Sequence, residues 1–412
     1  MRKKLFPFVL LLCVPAIEVS CSKPPETQPV KAVETVAPAC AMPSAAAGSN
    51  EQTAWQLFVA ASCPAKNEQL TWEKWTEQTC FLEPNTPGCG PTQTMAATAP
   101  VRHLHGSALG EHLRRRGLKP MAAAAGPGGC NEMTTAATAS PAMKPFVPKN
   151  LGSSPQFCEE VFTDPQETAF VKAPVAGATL TNLQSQVAFA GATGVSFPTP
   201  SLEVKADWLP AASVNNAFDC AAKRPEGVYV ETIDNACYAL VGIHISSKLL
   251  PNWLWATFEP QNSVTNPNRC NPDLYNACND PWGSDPAMSK GAATAPTAAL
   301  ADLMKRAGLA KELLNYRLVA AQTEFTDASG NAVQLGNSFT EFNAGVEPHQ
   351  ASCMTCHAYA LVSTTGNENP NFGNFPGGPT IGKPGTAPLP AQGGGTWVSQ
   401  DFSWMLGIMP AK

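Results

Sequence analysis

Charge is scarce in this sequence. Only 14% of the 412 residues are Asp, Glu, Lys or Arg, and the net charge of −5 leaves no cationic surplus. The one basic run, Arg114-Arg115-Arg116, reads as a solvated helix face, so nucleic acid, which calls for a basic patch, is not an expected partner. The apolar run from Leu5 to Ile17 is too short to span a bilayer. There is no second C-x-x-C, which a zinc site built on two such pairs would need. The Asn/Asp/Pro-rich stretch from Gln261 to Pro286 has few acidic residues and lacks the spacing of an EF-hand, which argues against calcium there. No arrangement of nucleophile, base and acid stands out along the chain.

What is present begins with an export signal. Arg2, Lys3 and Lys4 precede the apolar run, and Met1 to Ser20 read as a signal peptide. Val19-Ser20-Cys21 resembles a lipobox, with Glu18 standing where that motif carries an apolar residue; Cys21 is the expected lipidation site and membrane anchor. Residues 21–49, rich in Pro, Ala, Thr and Val without periodicity, are expected to be a flexible tether. The expected location is the periplasm, as a membrane-anchored lipoprotein. An oxidising compartment favours disulfides. Of the 14 cysteines, setting aside Cys13, Cys21, Cys353 and Cys356 leaves an even ten to pair. The local pairs Cys80 with Cys89 and Cys270 with Cys278 are the clearest expectations.

Cys353-Met354-Thr355-Cys356-His357 is a C-x-x-C-H sequence, the attachment signature of a c-type haem. Two thiols at that spacing can each add to a vinyl group on one porphyrin edge, and His357 then lies under the macrocycle as proximal iron ligand. A thioredoxin-like pair leaves the histidine without a use, and a structural disulfide makes it a coincidence. One covalent haem c, held by Cys353, Cys356 and His357, is the expectation.

Hydrophobic periodicity predicts an α+β fold, mostly antiparallel β with several short helices and long disulfide-pinned loops, and the haem-binding segment near the C-terminus. A helix from Glu51 to Cys63, capped by Asn50, carries Trp55, Phe58 and Val59 on one face. A second is expected around Ser107 to Arg116, and a third from Pro296 to Ala307 ending at Gly308. Strands are expected where Leu202, Val204, Ala206 and Trp208 alternate with charged residues, at Gly227–Ile233 and Cys237–Ile245 joined by the turn pair Asp234-Asn235, at Asn252–Phe258, and at Tyr316–Phe325. One face of the sheet is expected to be buried, with His244 on the same face as Tyr238 and Leu240. His103 and His105 are more in keeping with exposed histidines than with a metal site.

Several segments resemble large bacterial cytochrome c family proteins with a single haem motif near the C-terminus. They are Trp55-Gln-Leu-Phe-Val59, Trp72-Glu-Lys-Trp75, Glu203-Val-Lys-Ala-Asp-Trp208, Gly242-Ile-His-Ile-Ser-Ser-Lys248, Trp253-Leu-Trp-Ala-Thr-Phe-Glu259, Ser352-Cys-Met-Thr-Cys-His357 and Asp401-Phe-Ser-Trp-Met-Leu406. The resemblance implies a covalent haem and one integrated domain over residues 50–412, with the haem-binding segment at 337–412.

Only three residues follow Met409, so the closing helix of a small class I cytochrome is not expected and residues 50–352 must build much of the haem pocket. Met409 and Met405 lead as sixth ligands, with His244, His349 or an open position as alternatives. The function expected is electron transfer with periplasmic redox partner proteins. A peroxidase-like haem oxidoreductase with an open iron position and a haem-based binding or sensing module are the alternatives. The large non-haem portion, more than carrying electrons alone needs, favours the oxidoreductase, while a bare haem motif with no catalytic constellation favours electron transfer.

Overall fold

An eight-stranded antiparallel sheet forms the centre of the computed structural model. It describes residues 39–64, 69–82, 84, 89, 130–132, 148–175, 177–191, 194–261, 270, 278–341, 351–367 and 397–411. The fold is α+β, mostly antiparallel, with short helices and disulfide-pinned loops.

Helix α1 (Asn50–Ser62) leads into β1 (Thr76–Glu77), β2 (Cys130–Glu132) and β3 (Gln156–Thr163). Two short helices follow, α2 (Pro165–Lys172) and α3 (Leu183–Ala190). Then come β4 (Leu202–Pro210), β5 (Val230–Ile233), β6 (Ala236–Ser247), β7 (Leu254–Pro260), α4 (Ala298–Ala307) and β8 (Tyr316–Gln322). The strand order is β1-β3-β4-β6-β7-β8, with β2 added to β3 and β5 to β6. The C-terminal part holds α5 (Cys353–His357), the paired β9 (Leu361–Ser363) and β10 (Trp397–Ser399), and α6 (Trp404–Gly407). Pro38–Lys412 form one compact unit. Among the described residues no helix is long and apolar enough to cross a membrane.

Local chemistry explains the element ends. The cap expected at Asn50 belongs to Ser49, whose hydroxyl accepts from the Gln52 amide at 3.2 Å; Asn50 is already helical, and its side chain donates to Thr323 Oγ1 at 3.1 Å. Helix α4 ends at Gly308 in the left-handed conformation, φ 65°. Between β5 and β6, Asp234 and Asn235 both have positive φ, 48° and 63°, the geometry a two-residue hairpin needs and that Asp and Asn tolerate best after Gly.

Both faces of the sheet are covered, where one buried face was expected. On one side α1 and α4 pack Trp55, Phe58 and Met304 against Trp208, Phe258 and Tyr316, with Phe58 and Phe258 rings 4.5 Å apart. On the other side Phe157, Val241 and Phe339 form a second cluster. A third joins Trp253 and Trp255 to Met354, Met405 and Met409. Every residue of β7 is buried in consequence.

A bulge decides where His244 goes. In the β4–β6 ladder Asp207 pairs with Gly242 but Trp208 pairs with Leu240, so Val241 is an extra residue and the alternation flips. Leu240 and Ile243 therefore share the α1 side, and His244 faces opposite to Tyr238 and Leu240. This corrects the simple period-two expectation.

Among the described residues five disulfides are formed: Cys40–Cys63, Cys80–Cys89, Cys130–Cys158, Cys220–Cys237 and Cys270–Cys278. They include both local pairs expected from spacing. Cys40 shortens the expected tether, because its bond to Cys63 ties residues from 39 onward to the end of α1. Cys21, His103, His105, His112, His349 and the helix expected near Ser107 lie outside the described residues. The Cys40–Cys63 bond closes a 23-residue separation, for which loop-closure entropy gives about 3 kcal/mol. A Cys40→Ser/Cys63→Ser double variant is expected to lose stability of that order in urea unfolding; an unchanged midpoint would rule out this bond as a brace.

Candidate haem-attachment site

The motif sits on α5, a helix of little more than one turn. Ser352 caps it, its hydroxyl accepting from the Thr355 amide at 3.3 Å, and Met354 anchors it in the third apolar cluster. Among the described residues Cys353 and Cys356 are the two cysteines outside any disulfide. Burial pushes the Cys353 thiol well above its ordinary range, and the negative charge of Glu341 adds to this. Burial pushes Cys356 up to about 12 against the pull of Lys205. The Trp404 side chain hydrogen-bonds to Cys356.

His357 is held by its δ nitrogen. Nδ1 lies 2.8 Å from the Phe402 carbonyl, an acceptor, so Nδ1 carries the proton and Nε2 keeps its lone pair. The imidazole lies 4.5 Å from the Trp255 ring and 6.3 Å from that of Trp404, centroid to centroid. Burial drives its pKa down to about 3, only partly offset by the Phe402 carbonyl, which keeps the ring neutral. A neutral imidazole whose other nitrogen donates to a carbonyl is the form in which histidine binds metals.

Facing this helix is a charged wall on the sheet face where alternation with apolar residues predicts solvent. Lys205 of β4 pairs across strands with His244 of β6, and Asp207 with Gly242. Lys205 Nζ lies 2.6 Å from Glu159 of β3. Asp207 is fully buried; its Oδ2 accepts from Thr340 Oγ1 at 2.5 Å and lies 3.2 Å from His244 Nε2. The Thr340 hydroxyl hydrogen is donated to Asp207, so at 2.8 Å the Thr340 oxygen accepts from His244 Nε2. Glu341 accepts from the Asn337 amide. Ser338 donates through its amide and hydroxyl to Glu259 at 2.8 and 2.6 Å, clamping residues 337–341 to the sheet just before the motif.

Lys205, Glu341, Cys353, Cys356 and His357 are all half-buried. The charges of Lys205 and Glu341 act on both thiols, and those of Lys205 and His244 act on His357.

The residues fit a haem. Among the described residues no three His, Cys, Asp or Glu side chains are grouped to hold a metal ion. Haem iron needs no such group, since the porphyrin supplies four nitrogens and the chain one or two axial ligands. Two unpaired thiols and an imidazole with an available Nε2 are what attachment requires. Met405 and Met409 are fully buried in the cluster that holds Met354. His244 has Nε2 committed to Thr340 and Asp207, leaving Nδ1 as the nitrogen open to a ligand role. No protein-family model, curated protein or solved structure matches the chain.

Two predictions follow from the wall. A Cβ on Gly242 would lie 2.6 Å from Asp207 Oδ2 and 2.8 Å from Asn337 Nδ2. Gly242→Ala is therefore expected to push Asp207 off His244 and to cost about 1–3 kcal/mol, measured by denaturant unfolding; wild-type stability would show the contact is slack. Burial raises the Glu341 carboxyl to about 7. Unfolded, it releases its proton near its ordinary value of about 4.3. Its contribution is thus full below that value and is lost as pH rises toward 7. Glu341→Gln is expected to lose less stability than wild type between about pH 4 and about pH 8; parallel pH profiles of the two proteins would refute this.

Proposed function

We propose that the chain carries one covalent haem c on Cys353 and Cys356, with His357 as proximal ligand, and passes single electrons between periplasmic redox partner proteins. The observation that carries this reading is the pairing pattern. Ten cysteines form five disulfides, while the two of the C-x-x-C-H motif stay as thiols on one helical turn, beside a neutral histidine with Nε2 available. The disulfides fit an oxidising compartment, and Met1–Ser20 with Cys21 fit export and lipid anchoring. The resemblance to exported single-haem cytochrome c proteins includes the same motif.

When bound, the haem supplies a one-electron couple. The chain's part is to hold it: thioether bonds at Cys353 and Cys356, an axial imidazole fixed by Phe402, and a pocket walled by the sheet. Met405 or Met409 is the sixth ligand in this reading, their thioethers lying in the apolar cluster that also receives the motif helix.

One observation favours a second reading. The charged wall of Lys205, Asp207, His244 and Glu341 is more than an electron carrier needs, and it suits an open iron position at which a haem oxidoreductase handles protons.

Two measurements decide. Cys353→Ala and Cys356→Ala are each expected to weaken or abolish haem staining after denaturing electrophoresis of the matured protein; undiminished staining in both sinks the covalent haem. Optical spectra then separate the readings. A low-spin spectrum unmoved by carbon monoxide supports electron transfer, whereas high-spin ferric haem with carbon monoxide binding on reduction supports the oxidoreductase.

A further inference from the structure

Behind the motif lies a second group of buried acids. Glu167 of α2 is fully buried, and among the described residues no N–H or O–H group reaches either of its carboxyl oxygens. Its neighbour is another carboxyl, that of Glu203 on β4, in hydrogen-bond contact with it and itself buried. Two carboxylates cannot sit in contact without a donor between them. One must carry a proton that it donates to the other. Burial and the charge of Glu203 both push Glu167 up, and burial pushes Glu203 up as well.

The pair is wired to the motif. Glu203 Oε1 accepts from Ser403 Oγ at 2.9 Å. The preceding residue, Phe402, offers the carbonyl that accepts from His357 Nδ1. The shared proton therefore sits one hydroxyl and one peptide away from the proximal imidazole. Other charges around the pair are accounted for. Asp164 accepts from the Glu167 amide at 2.7 Å. Asp401 pairs with Lys248 at 2.6 Å and accepts from the Phe197 amide at 2.7 Å. Lys205, two residues along β4, pairs with Glu159 and draws Glu203 down.

We propose that Glu167 and Glu203 form a proton-binding site whose occupancy is coupled, through Ser403 and the Phe402–His357 hydrogen bond, to the oxidation state of the haem. The proposal rests on the haem reading above. Loss of one electron to an oxidised partner protein adds a positive charge beside the pair. That weakens its hold on the shared proton, which leaves through Glu203, the slightly exposed member, to water. Reduction takes back one electron and one proton. The potential of the protein then depends on pH through these two side chains, and a partner is served more or less readily as the pH around it shifts.

The test uses the haem-loaded full chain. Its midpoint potential is measured by spectroelectrochemistry across a pH series, for wild type, Glu167→Gln and Glu203→Gln. Wild type is expected to show a potential that falls as pH rises above the ordinary carboxylate range, and both variants to lose that slope. His244 and Glu341 are unaltered in all three proteins, so the difference between them reports the pair alone. A redox-triggered infrared difference spectrum of wild type needs no variant to fold. It is expected to show the carbonyl stretch of a protonated carboxyl disappearing on oxidation. An unchanged slope in both Gln variants, or no carboxyl band in wild type, overturns the coupling while leaving the haem intact. Absence of covalent haem in matured wild type overturns both.

Discussion

The hydrogen bond from His357 Nδ1 to the Phe402 carbonyl is the contact on which the site depends, and it needs an unusual backbone. Asp401 and Phe402 both have positive φ, 52° and 67°, without being glycines. Such residues cost of order 1–3 kcal/mol each and persist only where their surroundings over-determine them. Here the surroundings do. Asp401 is tied to Lys248 and to the Phe197 amide, and the Phe402 ring lies 6.1 Å from both Trp255 and Phe325. The turn, the sheet and the motif helix thus hold one another in place, and none of them can move without releasing the imidazole.

The same logic explains why a sheet buried on both faces carries so many charges. An unpaired charge in such a place is prohibitive, so each acid has a donor. Glu160 takes the Trp208 indole N–H at 2.9 Å, Glu259 takes two donors from Ser338, and Asp280 takes the Trp55 indole at 2.7 Å. Glu167 departs from the rule and is satisfied by a shared proton instead. Polar groups near the motif are therefore not leftover solvent contacts. They replace what water would supply, and they fix the segment 337–341 that delivers the chain to α5.

Much of this was legible in the residues and some was not. The α+β antiparallel fold, the hairpin at Asp234-Asn235, the helix ending at Gly308 and two local disulfides follow from short-range rules that act within a few residues. The partners of Cys40, Cys130 and Cys220 do not, because loop closure between distant cysteines leaves no local mark. The β4 run Glu203, Lys205, Asp207 looked like a wet face because alternation with apolar residues is what a half-exposed strand shows. Only the segments that cover that face, 337–341 and 401–403, turn it into a buried wall. The bulge at Val241 is likewise invisible to a period-two reading, yet it alone moves His244 to the motif side. His357 could be named from spacing; its anchor, a backbone carbonyl 45 residues on, has no side-chain signature.

The thiols complete the picture. Cys353 and Cys356 lie on one turn of one helix in a chain whose other described cysteines are all paired. Burial keeps both protonated, and a protonated thiol is a poor nucleophile and slow to enter disulfide exchange. Lys205 pulls both thiols back down while Glu341 pushes them up along with burial, so a single cross-strand neighbourhood acts on the thiols, on His357 and, through β4, on Glu203. A change of one charge on this wall is felt at every group that would hold the haem.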